Sequence, residues 1–260
     1  GASLEGTEGK IARASMAEVL AIIRSGRVVQ HRLTVAEGLT SAQVIRVLGT
    51  AEALGGPAPD APAEGAILPE TYNFTRGTPR AELLARMTGA MDAKLVELWA
   101  ARDPELTLAS AAEAVILASI VEKETGVAEE RPRVAAVFLN RLRTGMRLQS
   151  DPTVVYAVTG GEAIGRRLTR ADLNIDSPYN TYRNHGLPPG PIANPGAGSL
   201  RAVLNPIQTD DLYFVADGTG GHAFARTLEE HNRNVRAWRQ IRRQLDGERD
   251  ASGLDGEAAE

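Results

Sequence analysis

The 260-residue sequence contains no cysteine, which excludes a disulfide framework, a thiolate zinc site and a cysteine nucleophile together. No apolar run approaches the roughly 20 residues that span a bilayer. The start, Gly1-Ala2-Ser3, lacks the basic-then-apolar pattern of a signal peptide. An initiating Met is also missing, so the chain reads as a segment whose targeting region has been removed. Nor is there a block of like charge: 33 acidic and 29 basic residues are scattered along the chain and leave a formal net charge of -4. That distribution argues against a nucleic-acid partner and against an acidic-lipid anchor.

Several catalytic constellations are absent too. The four histidines, His31, His185, His222 and His231, show no His-Glu-x-x-His or comparable spacing, so no metal site is expected. No Gly-x-Ser-x-Gly elbow occurs, and Gly218 to Gly221 lacks the Lys-Ser/Thr ending of a phosphate cradle. No cofactor is implied.

What is present, 43% hydrophobic and 24% charged residues, suffices to bury a full core in one large domain or two smaller ones. Ser15 with Glu18 has the form of a capping box, followed by apolar residues at helical spacing to Gly26. From Arg27 to Val35 the period changes to two, and Thr40 opens another helical stretch through Val44, Ile45 and Leu48. Residues 1–55 are thus expected to form a small helix-strand-helix module. The breaker-rich stretch 56–65, with Pro57, Pro59 and Pro62, reads as a linker, 66–245 as the main domain and 246–260 as a disordered acidic tail.

In the main domain, Pro79 to Ala101 predicts an amphipathic helix. Leu108 to about Thr125 predicts a second whose centre is apolar on nearly every face, and Val134 to Leu142 a third. Gly145 to Pro206 is rich in Pro, Gly and Asn and reads as a long loop region, the natural place for a site. Leu212 to Ala216 and His222 to Phe224 flank Asp217-Gly218-Thr219-Gly220-Gly221 as a β-hairpin, and Thr227 with Glu230 caps a last helix. The fold class expected is α+β.

The apolar helix ends in Val121-Glu122-Lys123-Glu124-Thr125, which sets carboxylates at the edge of a core. Glu122 shares a face with Val115, Ala118 and Ser119, and Glu124 shares one with Leu117, Ile120 and Val121, so either carboxylate can point inward. Desolvation favours the neutral acid, which can then donate a proton to a leaving oxygen, as glycosidic cleavage requires. A solvated helix end is the plainer reading of such a string. The loop region adds Gln149-Ser150-Asp151 and Ser177-Pro178-Tyr179-Asn180-Thr181-Tyr182, mixing aromatics with amides and hydroxyls. That mixture suits sugar hydroxyl edges and C-H faces, although Asn, Ser and Pro also simply make turns.

Together, Ile116 to Thr125, Val134 to Leu142 and Gly145 to Val154 closely resemble the YceG/MltG family of endolytic murein transglycosylases. So do Tyr179-Asn180-Thr181-Tyr182, Gly186-Leu187-Pro188-Pro189-Gly190, Asn194-Pro195-Gly196 and the Tyr213 to Phe224 segment, in order and spacing, across about Glu64 to Arg239. The resemblance implies a lyase of peptidoglycan with Glu122 as the catalytic residue. Held protonated by burial, Glu122 would protonate the oxygen between N-acetylmuramic acid and N-acetylglucosamine, then take the proton of the muramic 6-hydroxyl to leave a 1,6-anhydro end. It further implies a LysM-like first module truncated at its start, a loop-built cleft, peptidoglycan strands and cell-wall synthesis proteins as partners, and a catalytic part outside the inner membrane on a single-pass anchor.

Asn140, Gln149, Asp151, Tyr179, Asn180 and Tyr182 are the candidate cleft residues, with Arg141 placed to pair with Asp151 or Glu124. Two positions depart from the family pattern: Ala66 and Leu68 stand where aromatics are usual. A hydrolase using Asp151 or Glu124 to activate water, and a non-catalytic peptidoglycan-binding scaffold, are the competing readings.

Overall fold

The computed structural model describes residues 15–17, 20, 24 and 28–254, with side chains to residue 244. The capping box expected at Ser15 and Glu18, and the helix after it, fall largely outside the described residues.

Strand β1 (Gln30–Thr34) pairs antiparallel with β2 (Thr71–Thr75), Gln30 opposite Thr75 and Thr34 opposite Thr71. Between them α1 (Ser41–Thr50) starts at a capping box in which the Thr40 side chain accepts from the Gln43 N–H and the Gln43 side chain from the Thr40 N–H. The small core gathers Val35, Val44, Leu48, Ile67, Tyr72 and Phe74 with Leu83, Leu84 and Met87. Its second strand thus lies beyond the stretch expected as a linker. Pairing with β1 draws Thr71–Thr75 into the first unit, because an isolated strand leaves its backbone polar groups and one apolar face unsatisfied.

Helix α2 (Arg80–Ala100) joins the two cores: Leu83, Leu84 and Met87 belong to the small one, Met91 and Leu98 to the large one. The large core is built on α3 (Ala111–Glu124), whose Ala114, Leu117, Ala118, Ile120 and Val121 are fully buried. It packs on α4 (Arg131–Arg143) and on α7 (Ala197–Leu204). Leu68, one of the two departures from the family pattern, is 5% exposed and belongs to this core, so Leu in place of an aromatic is a packing change there.

The stretch expected as loops holds three short helices: α5 (Asp151–Thr159), α6 (Arg170–Leu173) and α7. Helices of four to nine residues are too short to print a convincing 3.6-residue period. Strands β3 (Tyr213–Ala216) and β4 (His222–Ala225) form the expected hairpin, and α8 (Leu228–Leu254) lies on it. The α8 backbone runs on into the segment expected as a tail. Among the described residues the architecture is a mixture of helices and two small antiparallel sheets. Among the described residues no helix is long and apolar enough to cross a membrane.

Candidate active site

The apolar positions of α3 commit the helix to the core, and Ser110 caps its start by accepting from the Glu113 N–H. Its last turn carries Glu122, Lys123 and Glu124. Successive side chains leave a helix about 100° apart, so the three reach three different parts of the molecule.

Glu122 turns to Arg131 and α7. Its Oε1 accepts from Arg131 Nη2 at 3.1 Å, and its Oε2 from the Gly196 N–H at 2.9 Å. Its side chain is 5% exposed. The same Arg131 Nη2 bonds Glu37 at 2.9 Å, so one guanidinium bridges two carboxylates. Lys123 donates to the Gly38 carbonyl at 3.2 Å. Nearby, Asn194 accepts from the Ile67 N–H and donates to the Leu39 carbonyl and the Ser41 hydroxyl. Glu122 and Lys123 thus belong to a polar seam between the small unit and the large core.

Glu124 turns to α5. Ser150 stands at the N-cap of that helix, yet its hydroxyl makes no capping bond. Instead it donates to Glu124 Oε1 at 2.5 Å. The Ser150 N–H bonds the Thr181 hydroxyl, the Gln149 N–H bonds the Thr181 carbonyl, and Thr153 closes the group on Thr181 at 2.8 Å. Burial pushes the Glu124 carboxyl up to about 7; the Ser150 hydrogen bond, His222 and Arg141 work against that and Asp151 with it. The residue as a whole keeps intermediate exposure, while its carboxyl is desolvated by burial.

Gln149 has φ +49°, a left-handed backbone otherwise found only at glycines among the described residues. Such strain concentrates at functional sites, and Gln149, with an exposed side chain, immediately precedes Ser150, the hydrogen-bond partner of Glu124. Tyr182 donates to Asp151 Oδ1 at 2.6 Å, and burial, then this bond, raises its phenol. Glu130 holds His222 by both backbone N–H and Nδ1, at 2.8 and 2.7 Å.

A family model described as the YceG-like family matches residues 11–237. The chain belongs to the YceG-like family. Similar proteins include an endolytic murein transglycosylase of Bacillus subtilis, 41% identical over 172 residues, and one of Streptococcus pneumoniae, 38% identical over 179. Each match takes in 66% of this chain, which spans 47% of the first relative and 31% of the second. A solved yceG-like protein from Listeria monocytogenes superposes with a TM-score of 0.64 at 34% identity, over 84% of this chain and 80% of that one.

In this YceG-like chain the structure gathers only some of the candidate residues. Asp151 and Tyr182 stand near Glu124, and the Gln149 backbone leads into Ser150, which bonds Glu124. Asn140 does not: its amide donates to the Thr209 and Asp211 carbonyls, and it lines a separate cavity of about 410 Å³ with Asp103, Arg143 and Arg226. Tyr179 packs on the Tyr156 ring at 4.8 Å. Asn180 is fully buried; its amide donates to the Leu173 and Ile175 carbonyls and its oxygen accepts from the Tyr182 N–H. Asn180 therefore holds the loop and has no group to offer a sugar. Sequence reasoning passed over Ser150, which reads as an ordinary N-cap, and Arg131, whose partners Glu37 and Glu122 stand 94 and 9 residues away.

Proposed function

We propose that this chain is the catalytic part of an endolytic murein transglycosylase, a lyase of peptidoglycan glycan strands, with Glu124 as its acid and base in place of Glu122. The carrying observation is the Glu124 carboxyl: desolvated, held by Ser150 and raised to about 7. A group near neutrality populates both forms, as a residue that first gives and then takes a proton must. Glu122 has both oxygens accepting from Arg131 and the Gly196 N–H in the seam between the two cores. Names of relatives at about 40% identity support the same reaction class.

In this mechanism protonated Glu124 gives its proton to the oxygen linking N-acetylmuramic acid to N-acetylglucosamine as the bond from that oxygen to the muramic anomeric carbon breaks. The resulting carboxylate takes the proton of the muramic 6-hydroxyl while that oxygen bonds the anomeric carbon, closing a 1,6-anhydro ring. No water enters and no second carboxylate is needed, which separates this course from the paired-carboxylate hydrolases. Gln149 and the Asp151 and Tyr182 pair flank the reacting group and orient the sugar.

The β1-α1-β2 unit, followed by the larger domain, is read as a LysM-like module that holds the glycan. The catalytic part acts outside the cytoplasm on a single-pass anchor, cuts nascent strands and sets their length beside the synthesis proteins. Digestion of purified peptidoglycan, with mass spectrometry of the fragments, tests the chemistry. Anhydro ends from the unmodified protein, lost in Glu124→Gln, are expected. Reducing ends would establish a hydrolase, and intact strands a binding scaffold.

A further inference from the structure

We propose that Arg141 is a positioning residue: a buried cation fixed in advance beside Glu124 as the counter-charge to the carboxylate left after proton transfer. The inference rests on the reading of Glu124 as the proton donor.

Arg141 lies on α4 and is 7% exposed. Its Nε donates to the Leu212 carbonyl at 2.7 Å and its Nη1 to the Leu148 carbonyl at 2.5 Å, while its guanidinium carbon sits 5.4 Å from the centre of the Tyr213 ring. Every one of these partners is neutral. Among the described residues no carboxylate lies within ion-pair distance of it, although Arg131 and Arg133 on the same helix both have one. A buried guanidinium without an anion is costly to keep, and burial weakens its own hold on its proton. The fold nevertheless anchors it at two points that matter for the site. Leu148 leads into the strained Gln149 and into Ser150, the hydrogen-bond donor to Glu124, and Leu212 leads into β3 of the hairpin that carries His222.

The groups acting on Glu124 come from four elements. Asp151 at the start of α5 opposes its ionisation, and the neutral Ser150 hydroxyl before it supports ionisation by hydrogen bonding. His222 on β4 favours ionisation only while protonated and is already held by Glu130. Tyr182, from the loop before α7, is bonded to Asp151 and stays neutral. Arg141 on α4 favours the ionised form at every pH. While Glu124 is neutral the cation has only neutral partners; when Glu124 gives up its proton, the charge appears where its complement already stands. A fixed charge of this kind requires no reorganisation during the reaction.

The test is a carbon-13 titration of the Glu124 carboxyl in the unmodified protein, in Arg141→Gln, in Arg141→Lys, and with citrulline at position 141. Citrulline keeps the Nε–H and a terminal NH₂ for the Leu212 and Leu148 carbonyls but carries no charge, so it separates charge from folding. Both neutral replacements should strengthen proton binding by Glu124 about tenfold or more, within the range of a nearby opposite charge. The alkaline limb of kcat/KM on glycan strands should move up with it. Arg141→Lys should restore most of the shift. An unchanged Glu124 titration with citrulline overturns the proposal. Cleavage by Glu124→Gln at the normal rate would instead overturn the catalytic reading, and the titration would still decide whether Arg141 is the counter-charge.

Discussion

Ser150 donates its hydroxyl to Oε1 of Glu124 at 2.5 Å across 26 residues of sequence, leaving the N-cap position it occupies on α5 without a side-chain bond. A capping serine typically contributes about 1 kcal/mol to its helix, and here that contact is replaced by one to a carboxyl group. Because the bond favours the ionised form, Ser150→Ala should raise the Glu124 carboxyl further above 7. The alkaline limb of the activity profile should move up with it, measurable as kcat/KM against pH on purified glycan strands.

Glu122 and Glu124 are separable by substitution. Glu124→Gln keeps an acceptor for Ser150 but cannot donate an acidic proton, so turnover should fall by about 10²-fold or more. Glu122→Gln weakens one partner of Arg131, which retains Glu37, so it should cost about 1–3 kcal/mol of stability and leave turnover within a few-fold. Steady-state rates with urea unfolding on both variants check this. The reverse pattern would return the catalytic role to Glu122.

The raised Glu124 carboxyl has a consequence for stability. Its ordinary value is 4.5 and its folded value about 7, so between these the folded chain binds more protons than the unfolded one. Stability should therefore fall as pH rises through that window, by on the order of 3 kcal/mol at most from this group. Glu124→Gln removes the cost: it should unfold at higher urea than the unmodified protein at pH 8, with the gap closing towards pH 4.5.

Gln149 and Asn180 should respond in opposite ways. Gln149→Gly relieves a left-handed backbone and should gain about 1 kcal/mol, yet raise KM for glycan, since it removes an exposed side chain next in sequence to Ser150. Asn180→Ala strands two carbonyls and an N–H in a buried loop, so it should lose about 2–3 kcal/mol, with activity following the folded fraction. Thermal melts paired with kinetics separate the two.

Gly65 has φ +77°, and a Cβ there would stand 2.6 Å from Val115 Cγ1 on α3 and 2.8 Å from Pro191. Gly65→Ala should cost about 2–4 kcal/mol, the sum of left-handed strain and overpacking, read as a fall in the urea midpoint.

Elements whose signal lies within one stretch of chain were legible in the sequence. The apolar run of α3, the 21-residue α2, the hairpin around Gly218 and the cap at Thr227 follow from local period and turn chemistry. So did the carboxylates at the end of a buried helix, and with them the family. Relationships among distant residues were decided only by the tertiary structure. The pairing of β1 with β2 carries the small unit past its breaker-rich stretch, because backbone hydrogen bonds ignore sequence distance. The different surroundings of Glu122 and Glu124 follow from roughly 200° of rotation about one helix. That rotation is set by what α3 packs against: Arg131 and Gly196 on one side, Ser150 on the other. The residue string Val-Glu-Lys-Glu-Thr put two carboxylates at the rim of a core; only the folded surroundings joined one of them to Ser150 while tying the other into the seam.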